Sequence, residues 1–218
     1  MAAVPLTPLG ISLKTALCAT LLSAVAGILV ARWRFQRVTG VGSLFDALLL
    51  LPLALPPTVI GLLLLVTFGR KSPIGQWLEE IGVPVVFSWP GAVLAAFVVS
   101  FPIMYQTARG AFQQIEPSLL DAARVFGRSE WRILVRIMVP LAWPGLAAGV
   151  VLSFVRALGE FGATLMLAGN IPGRTQTAPV AIFFAVEAGD LGTAILLSST
   201  LLLFSFAALV TVHLLQRR

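Results

Sequence analysis

Two charges of opposite sign, Arg156 and Glu160, lie four residues apart in an otherwise uncharged stretch that runs to about Leu167. On a helix that spacing places guanidinium and carboxylate on one face, where they can pair. In an apolar surrounding such charges are expensive and face a cavity or a partner. The pair therefore reads either as the lining of a passage or as an ion pair that holds helices together. No nucleophile, base and orienting group cluster elsewhere, and Glu160 lacks a second catalytic partner, which argues against an enzyme. Cys18 is the only cysteine and His213 the only histidine. A disulfide within the chain and a thiolate metal cluster are thereby excluded, and both residues read as structural filler.

The elements that must position these groups follow from composition. Of 218 residues 58% are hydrophobic and 11% charged, with a mean hydropathy of +0.98. Soluble domains carry about a quarter charged residues, so this is a membrane protein. Its +6 net charge, from 15 Lys and Arg against 9 Asp and Glu, fits a bias of cytoplasmic loops and not a nucleic-acid surface.

Crossing the hydrocarbon takes about 20 apolar residues. Five stretches qualify: Thr15 to Ala31, Ala47 to Gly69, Ile81 to Tyr105 with the helix proper beginning near Pro90, Ile137 to Val155 continuing to about Leu167, and Leu191 to Gln216. Arg32, Arg34, Arg37, Arg109, Arg124, Arg128, Arg132, Arg136, Arg217 and Arg218 fall on one side of that arrangement. Lys14, Arg70, Lys71 and Arg174 fall on the other with Glu79, Glu80, Glu187 and Asp190. The positive-inside rule then puts the N-terminus outside and the C-terminus in the cytoplasm. Ala24-Val25-Ala26 has the look of a signal-peptidase site, but one Lys precedes the apolar core and three Arg follow it, the reverse of an export signal.

Between the spans, Pro73, Gly75, Gly82 and Pro84 predict a turn-rich connector over 70–88. The segment from Ala168 to Asp190 opens with a loop containing Asn170 and Arg174 and continues into Ala178 to Val186, apolar but too short to span. Pro56-Pro57 must break the second span, as a hinge or as a static kink. Gly145 and Gly149 form a small-xxx-small packing surface. Gly69-Arg70-Lys71-Ser72 lacks the order of a nucleotide loop.

On the cytoplasmic side, Pro117 to Gly127 reads as a short helix with Pro in its first turn and Gly at its exit. Ser129 is placed to cap a second helix, Glu130 to Val139, that ends at a bend at Pro140. Ala122 and Ala123, flanked by Leu119, Leu120 and Phe126, suit close docking against another protein; an amphipathic helix resting on lipid headgroups is the alternative. Arg124, Arg128, Arg132 and Arg136 recur every four residues across Gly127 and read as cytoplasmic charge bias.

Asp121-Ala122-Ala123, then Gly127 after three residues, then Ile137 after nine more and Val139-Pro140, resembles the EAA loop of bacterial ABC importer permeases, with Asp121 in place of Glu and Val139 in place of Leu. The resemblance implies an all-α, polytopic type I importer permease fold of about five transmembrane helices, a single domain over 1–218 with a cytoplasmic coupling loop at about 109–140. It also implies that Leu120, Asp121, Ala122, Ala123 and Gly127 form a coupling helix seated in a groove of a separate ATP-hydrolysing subunit.

Arg156-Ala157-Leu158-Gly159-Glu160-Phe161-Gly162-Ala163, the loop from Gly169 to Thr175, and Leu55-Pro56-Pro57-Thr58-Val59-Ile60-Gly61 are similar to the branch of these permeases that moves tetrahedral oxyanions. The compact length resembles the molybdate members, with tungstate carried along; a sulfate or thiosulfate permease is the alternative, and an ion-coupled carrier is disfavoured because no internal repeat is found. That resemblance implies a second copy of the chain, two ATP-binding cassette subunits that use ATP and Mg, an outer molybdate-binding protein, a bilayer, and no cofactor or metal on this chain. Pro56, Pro57, Arg156, Glu160, Asn170 and Arg174 are its candidate pathway and gate residues.

Overall fold

The computed structural model describes residues 6–35 and 41–216. Arg37, Arg217 and Arg218 lie outside the described residues, and the side chain of His213 lies outside them too. Every described element is helical.

α1, Leu6–Phe35, is 30 residues long and overruns the predicted span at both ends. Lys14 does not stop it, because its ammonium lies 4.2 Å from the centre of the Trp89 ring. Arg32 and Arg34 in its last turn complement the helix dipole. α5, Trp89–Gln113, starts where Pro90 predicts, capped by Ser88, whose Oγ accepts from the Gly91 N–H at 3.3 Å.

The second predicted span is two helices, α2 (Val41–Ala54) and α3 (Pro57–Phe68), meeting at 112°. Pro56-Pro57 makes a corner sharper than a kink: neither residue has an N–H to offer, and Pro57 holds Pro56 in extended backbone. The connector, expected to be short and to favour turns over a long helix, contains the short α4, Pro73–Glu80, begun by Pro73 and capped by Ser72 at 2.9 Å from the Gly75 N–H.

After α5 come α6 (Pro117–Val125), α7 (Glu130–Ile133), a π-helical stretch Leu134–Met138, and α8 (Val139–Leu141). The chain then turns by 81° into α9, Trp143–Leu158. The bend lies at Ala142, not at Pro140: Pro140 falls in the first turn of α8, where a missing N–H costs little, and Pro144 opens α9 in the same way. Ser129 makes no side-chain cap to α7. The fourth span does not continue to Leu167 as one helix; α9 ends at Leu158, and a separate α10, Gly162–Ala168, follows. α11 (Ala178–Glu187) and α12 (Leu191–Gln216) complete the chain, with Asp190 Oδ1 accepting from the Thr193 N–H at 3.0 Å to cap α12. The Thr193 hydroxyl, with the Thr193 N–H second to it, holds the Asp190 carboxyl below its ordinary pKa. Among the described residues, three helices are long and apolar enough to cross a membrane, and the two bent pairs raise the number to 5 if each is one span.

α1, α5 and α9 form the centre. Ser23 and Ser100 hydroxyls are 2.9 Å apart, and Ser153 Oγ donates to the Ser100 carbonyl at 3.3 Å. Higher up, Trp89 Nε1 donates to Thr15 Oγ1 at 3.0 Å. The order of these contacts makes α1 and α5 parallel. α9 runs antiparallel to α5, since Gly145 meets Ala111, Gly149 meets Met104 and Thr107, and Ser153 meets Ser100. The predicted small-residue surface thus packs on α5. A Cβ at Gly27 would stand 2.8 Å from Met104 Cγ and 3.1 Å from the Tyr105 backbone nitrogen. Gly27→Leu should therefore lower stability by about 1–3 kcal/mol, the usual cost of overpacking, measured as earlier thermal unfolding in detergent, whereas Gly10→Leu, in open space, should not.

Candidate functional site

Among the described residues, the ion pairs of Arg32, Arg34, Arg109 and Arg124 gather at one end of the helix bundle and that of Arg156 with Glu160 at the other. At one end, Arg34 of α1, Asp46 of α2, and Tyr105 and Arg109 of α5 converge. Asp46 Oδ1 accepts from Arg34 Nε at 3.0 Å and from the Tyr105 hydroxyl at 2.5 Å, and Oδ2 lies 2.9 Å from Arg109 Nη1. Sequence reading passed over this cluster. The signal was present, since Asp46 is the only acid before Glu79, but nothing local shows that two other helices deliver it two cations and a phenol.

α6 lies at the same end. Leu120 is 1% exposed and Ala123 is buried, in the same apolar cluster as Ile133, Leu134 and Phe112. Asp121 and Ala122 are exposed, and so are Leu119, Val125 at 86% and Phe126 at 81%. The five residues named from the loop motif therefore divide by face. Leu120 and Ala123 root the helix in the chain's own core, while Asp121 and Ala122 stand on the exposed face, flanked by the exposed apolar side chains of Leu119, Val125 and Phe126. Gly127 has φ +72°, the left-handed exit that its Cβ-free backbone permits. Beside α6 a cavity of about 470 Å³ separates Glu116 and Leu119 from Pro144 and Gly145 at the start of α9.

At the other end the break between α9 and α10 is organised by Glu160. Its Oε2 accepts from Arg156 Nη1 at 2.8 Å, and its Oε1 accepts from the Ala163 N–H at 2.8 Å, capping α10. Arg156 and Glu160 pair as the spacing predicts, although Glu160 lies past the end of α9 rather than on it. Glu160 is buried, and Arg156 keeps part of its side chain accessible. Gly162, two residues on, packs against Pro57 and Thr58, and Gly61 packs against Ala163 and Met166. The α2–α3 corner and the α9–α10 break are thereby one locus, which joins Pro56 and Pro57 to Arg156 and Glu160.

Asn170 and Arg174 stand apart from it, on the loop between α10 and α11. Thr175 staples that loop: its Oγ1 accepts from the Ile171 N–H at 3.1 Å. Asn170 Oδ1 is buried without a hydrogen-bond partner and Arg174 is exposed. Phe87, the one non-glycine residue at positive φ among those described, lies over Gly169 and donates its N–H to the Leu167 carbonyl at 2.9 Å. No group of three or more metal-ligating side chains occurs among the described residues.

The model of the family described as binding-protein-dependent transport system inner membrane component matches residues 23–218. A putative molybdenum transport system permease protein of Bacillus subtilis is 46% identical over 185 residues, 84% of this chain and 82% of the relative. The molybdenum transport system permease protein of Escherichia coli K12 is 45% identical over 188 residues, with the same coverage. The sulfate transport system permease protein of that strain is 34% identical over 212 residues, 95% of this chain and 75% of the relative. Among solved structures, a chain of the MetNI methionine ABC transporter in an inward-facing conformation has TM-score 0.71 at 16% identity, covering 97% of this chain and 96% of that one; the shared feature is the fold.

Asp46→Asn would leave the buried Arg34 and the half-buried Arg109 without their shared carboxylate. The expected loss of stability is about 3 kcal/mol, typical of a broken buried ion pair, read as a lower unfolding temperature and reduced yield from membranes.

Proposed function

The chain belongs to the family of binding-protein-dependent transport system inner membrane components, and from that premise we propose that it is the pathway-forming subunit of an ATP-driven importer of molybdate, with tungstate carried by the same route. As a multi-pass permease component it is not itself an enzyme. The reading is supported by identity of 46% and 45% to molybdenum permeases against 34% to a sulfate permease.

In this reading two copies of the chain enclose the path, two ATP-binding cassette subunits sit beneath them and use ATP and Mg, and a molybdate-binding protein delivers the anion from outside. The chain itself holds no cofactor. The arginine-rich end carrying α6 faces the cytoplasm, which sets the N-terminus outside and the C-terminus inside, in keeping with the positive-inside rule.

The observation that carries the coupling role is the exposed face of α6. Ala122 permits close approach, Leu119, Val125 and Phe126 offer apolar anchors, and Asp121 offers a carboxylate. Roots at Leu120 and Ala123 pass the load inward to the core beneath. At the other end, the Pro56–Pro57 corner and the α9–α10 break are natural points of flexure. Arg156 sits there with a guanidinium only partly consumed by Glu160, and a cation in partly desolvated surroundings lowers the electrostatic cost of passing a dianion. Asn170 and Arg174 belong to the outer approach to the same path.

Reconstitution with the cognate ATPase and binding subunits tests this directly. ATP-dependent uptake should favour molybdate over sulfate, and the opposite preference would reassign the chain to sulfate. Gly127→Val forces a β-branched residue to positive φ at an estimated cost of about 1–2 kcal/mol; it should insert normally yet lower uptake, and wild-type uptake would remove Gly127 from the coupling role. Arg156→Gln should slow molybdate uptake by about tenfold if the guanidinium offsets anion charge, a loss of one charge-assisted contact, with no change in ATPase binding.

A further inference from the structure

Four charges of alternating sign line up at the arginine-rich end although Arg32 and Glu130 are 98 positions apart in the chain. Glu130, the first residue of α7, reaches both ways: Oε2 pairs with Nη2 of Arg32 in the last turn of α1, and Oε1 accepts from Arg124 Nε at 2.9 Å. Arg124 Nη1 then donates to Asp121 Oδ1 at 2.6 Å, on the same face of α6 one turn earlier. The order is Arg32, Glu130, Arg124, Asp121, and it runs from the central bundle to the exposed helix.

The inner end of this row is anchored. Arg32 is 6% exposed and its Nη1 has no hydrogen-bond partner among the described residues, so Glu130 carries the charge that balances it. Withdrawing that carboxylate would strand a buried guanidinium. The outer end is the helix read above as the docking element. Apolar roots at Leu120 and Ala123 hold α6 down without fixing its direction, since burial is non-directional. On the side toward α9 lies the cavity, which leaves room for α6 to tilt. Charge-assisted hydrogen bonds, in contrast, are directional. Among the contacts of α6 the Arg124–Glu130 link is therefore the one that transmits both pull and rotation.

We infer that Glu130 is a positioning residue for coupling, the junction through which displacement of α6 is passed to α1 and from there to the α1–α5–α9 core. The inference rests on the reading of α6 as the ATPase-docking helix and adds the route that its motion takes. Glu130 lies on α7, off the docking helix, and Arg124, exposed beside Asp121, has its guanidinium engaged by Asp121 and Glu130 and is not one of the apolar anchors Leu119, Val125 and Phe126.

The test uses the full complex of this chain, its ATPase subunit and its binding protein in proteoliposomes, and reads molybdate taken up per ATP hydrolysed. Glu130→Gln and Arg124→Gln should each lower that ratio about tenfold while the ATPase subunit stays bound, and the double variant should be no worse than the more affected single, because both cut one link. Arg124→Lys, which keeps the charge, should recover part of the ratio. Wild-type ratios in the single variants, or losses that multiply in the double, overturn the inference. Should Glu130→Gln fail to assemble, Arg124→Gln decides, since it leaves the Arg32–Glu130 pair in place. If the unaltered chain does not retain the ATPase subunit, the docking reading fails; if it does and the ratio is unmoved by both variants, only the role of Glu130 falls.

Discussion

The close approach of α1, α5 and α9 is the constraint on which the other features depend. Lipid tails are as apolar as the side chains, so helices in a membrane gain little from hiding greasy surface and associate through tight packing and a few hydrogen bonds. Gly27 under Met104, Gly145 against Ala111 and Gly149 against Thr107 bring the backbones together; the Ser23 and Ser100 hydroxyls pair at the contact, and the Ser153 hydroxyl donates to the Ser100 carbonyl. With α1 and α5 parallel and α9 antiparallel, the arginine-bearing ends of the first two are carried to the place where α9 begins. The Asp46 cluster and the Arg32–Glu130 pair are consequences of that geometry.

The interruptions in the helices obey the same economy. A backbone that leaves its helix inside a bilayer must find partners for the polar groups it frees. At the α2–α3 corner the problem is reduced because prolines have no N–H to satisfy, and the Pro56 carbonyl accepts from the Val59 N–H at 2.9 Å. At the α9–α10 break the buried Glu160 carboxylate serves the Ala163 N–H and the Arg156 guanidinium together. Contact between Gly162 and Pro57 sets one break against the other, so the α9–α10 break, buried at Glu160 and Gly162, covers one side of the corner while Pro56 and Pro57 remain exposed on the other. Two helix breaks and one partly accessible cation meet at this locus, and the proposed pathway rests on that meeting.

Local chemistry was legible wherever it depended on neighbours along the chain. Pro117 and Gly127 marked the limits of α6, Pro90 the start of α5, and the Arg156–Glu160 spacing its ion pair. Errors came where a residue had more than one use. Pro140 can end a helix or begin one, and it begins α8; Pro73 and Gly75 can make turns or open a capped helix, and with Ser72 they open α4. The loop motif by itself did not show which of its residues face outward: the helical period turns Leu120 inward and leaves Leu119 outside.

Composition, charge grouping and the loop motif determine from the sequence alone that this is a helical membrane permease component, with its cations sorted to two ends and a short helix between Pro117 and Gly127. Those properties are carried by residues within a few positions of one another or by sums over the chain. The tertiary structure alone decided which face of α6 is open, that Asp46 serves two arginines and a tyrosine, that the two broken spans meet at Gly162 and Pro57, and that Glu130 joins α6 to α1. Each of these relates a residue to partners supplied by other helices, and helix packing, not sequence distance, fixes which side chains come within hydrogen-bond reach.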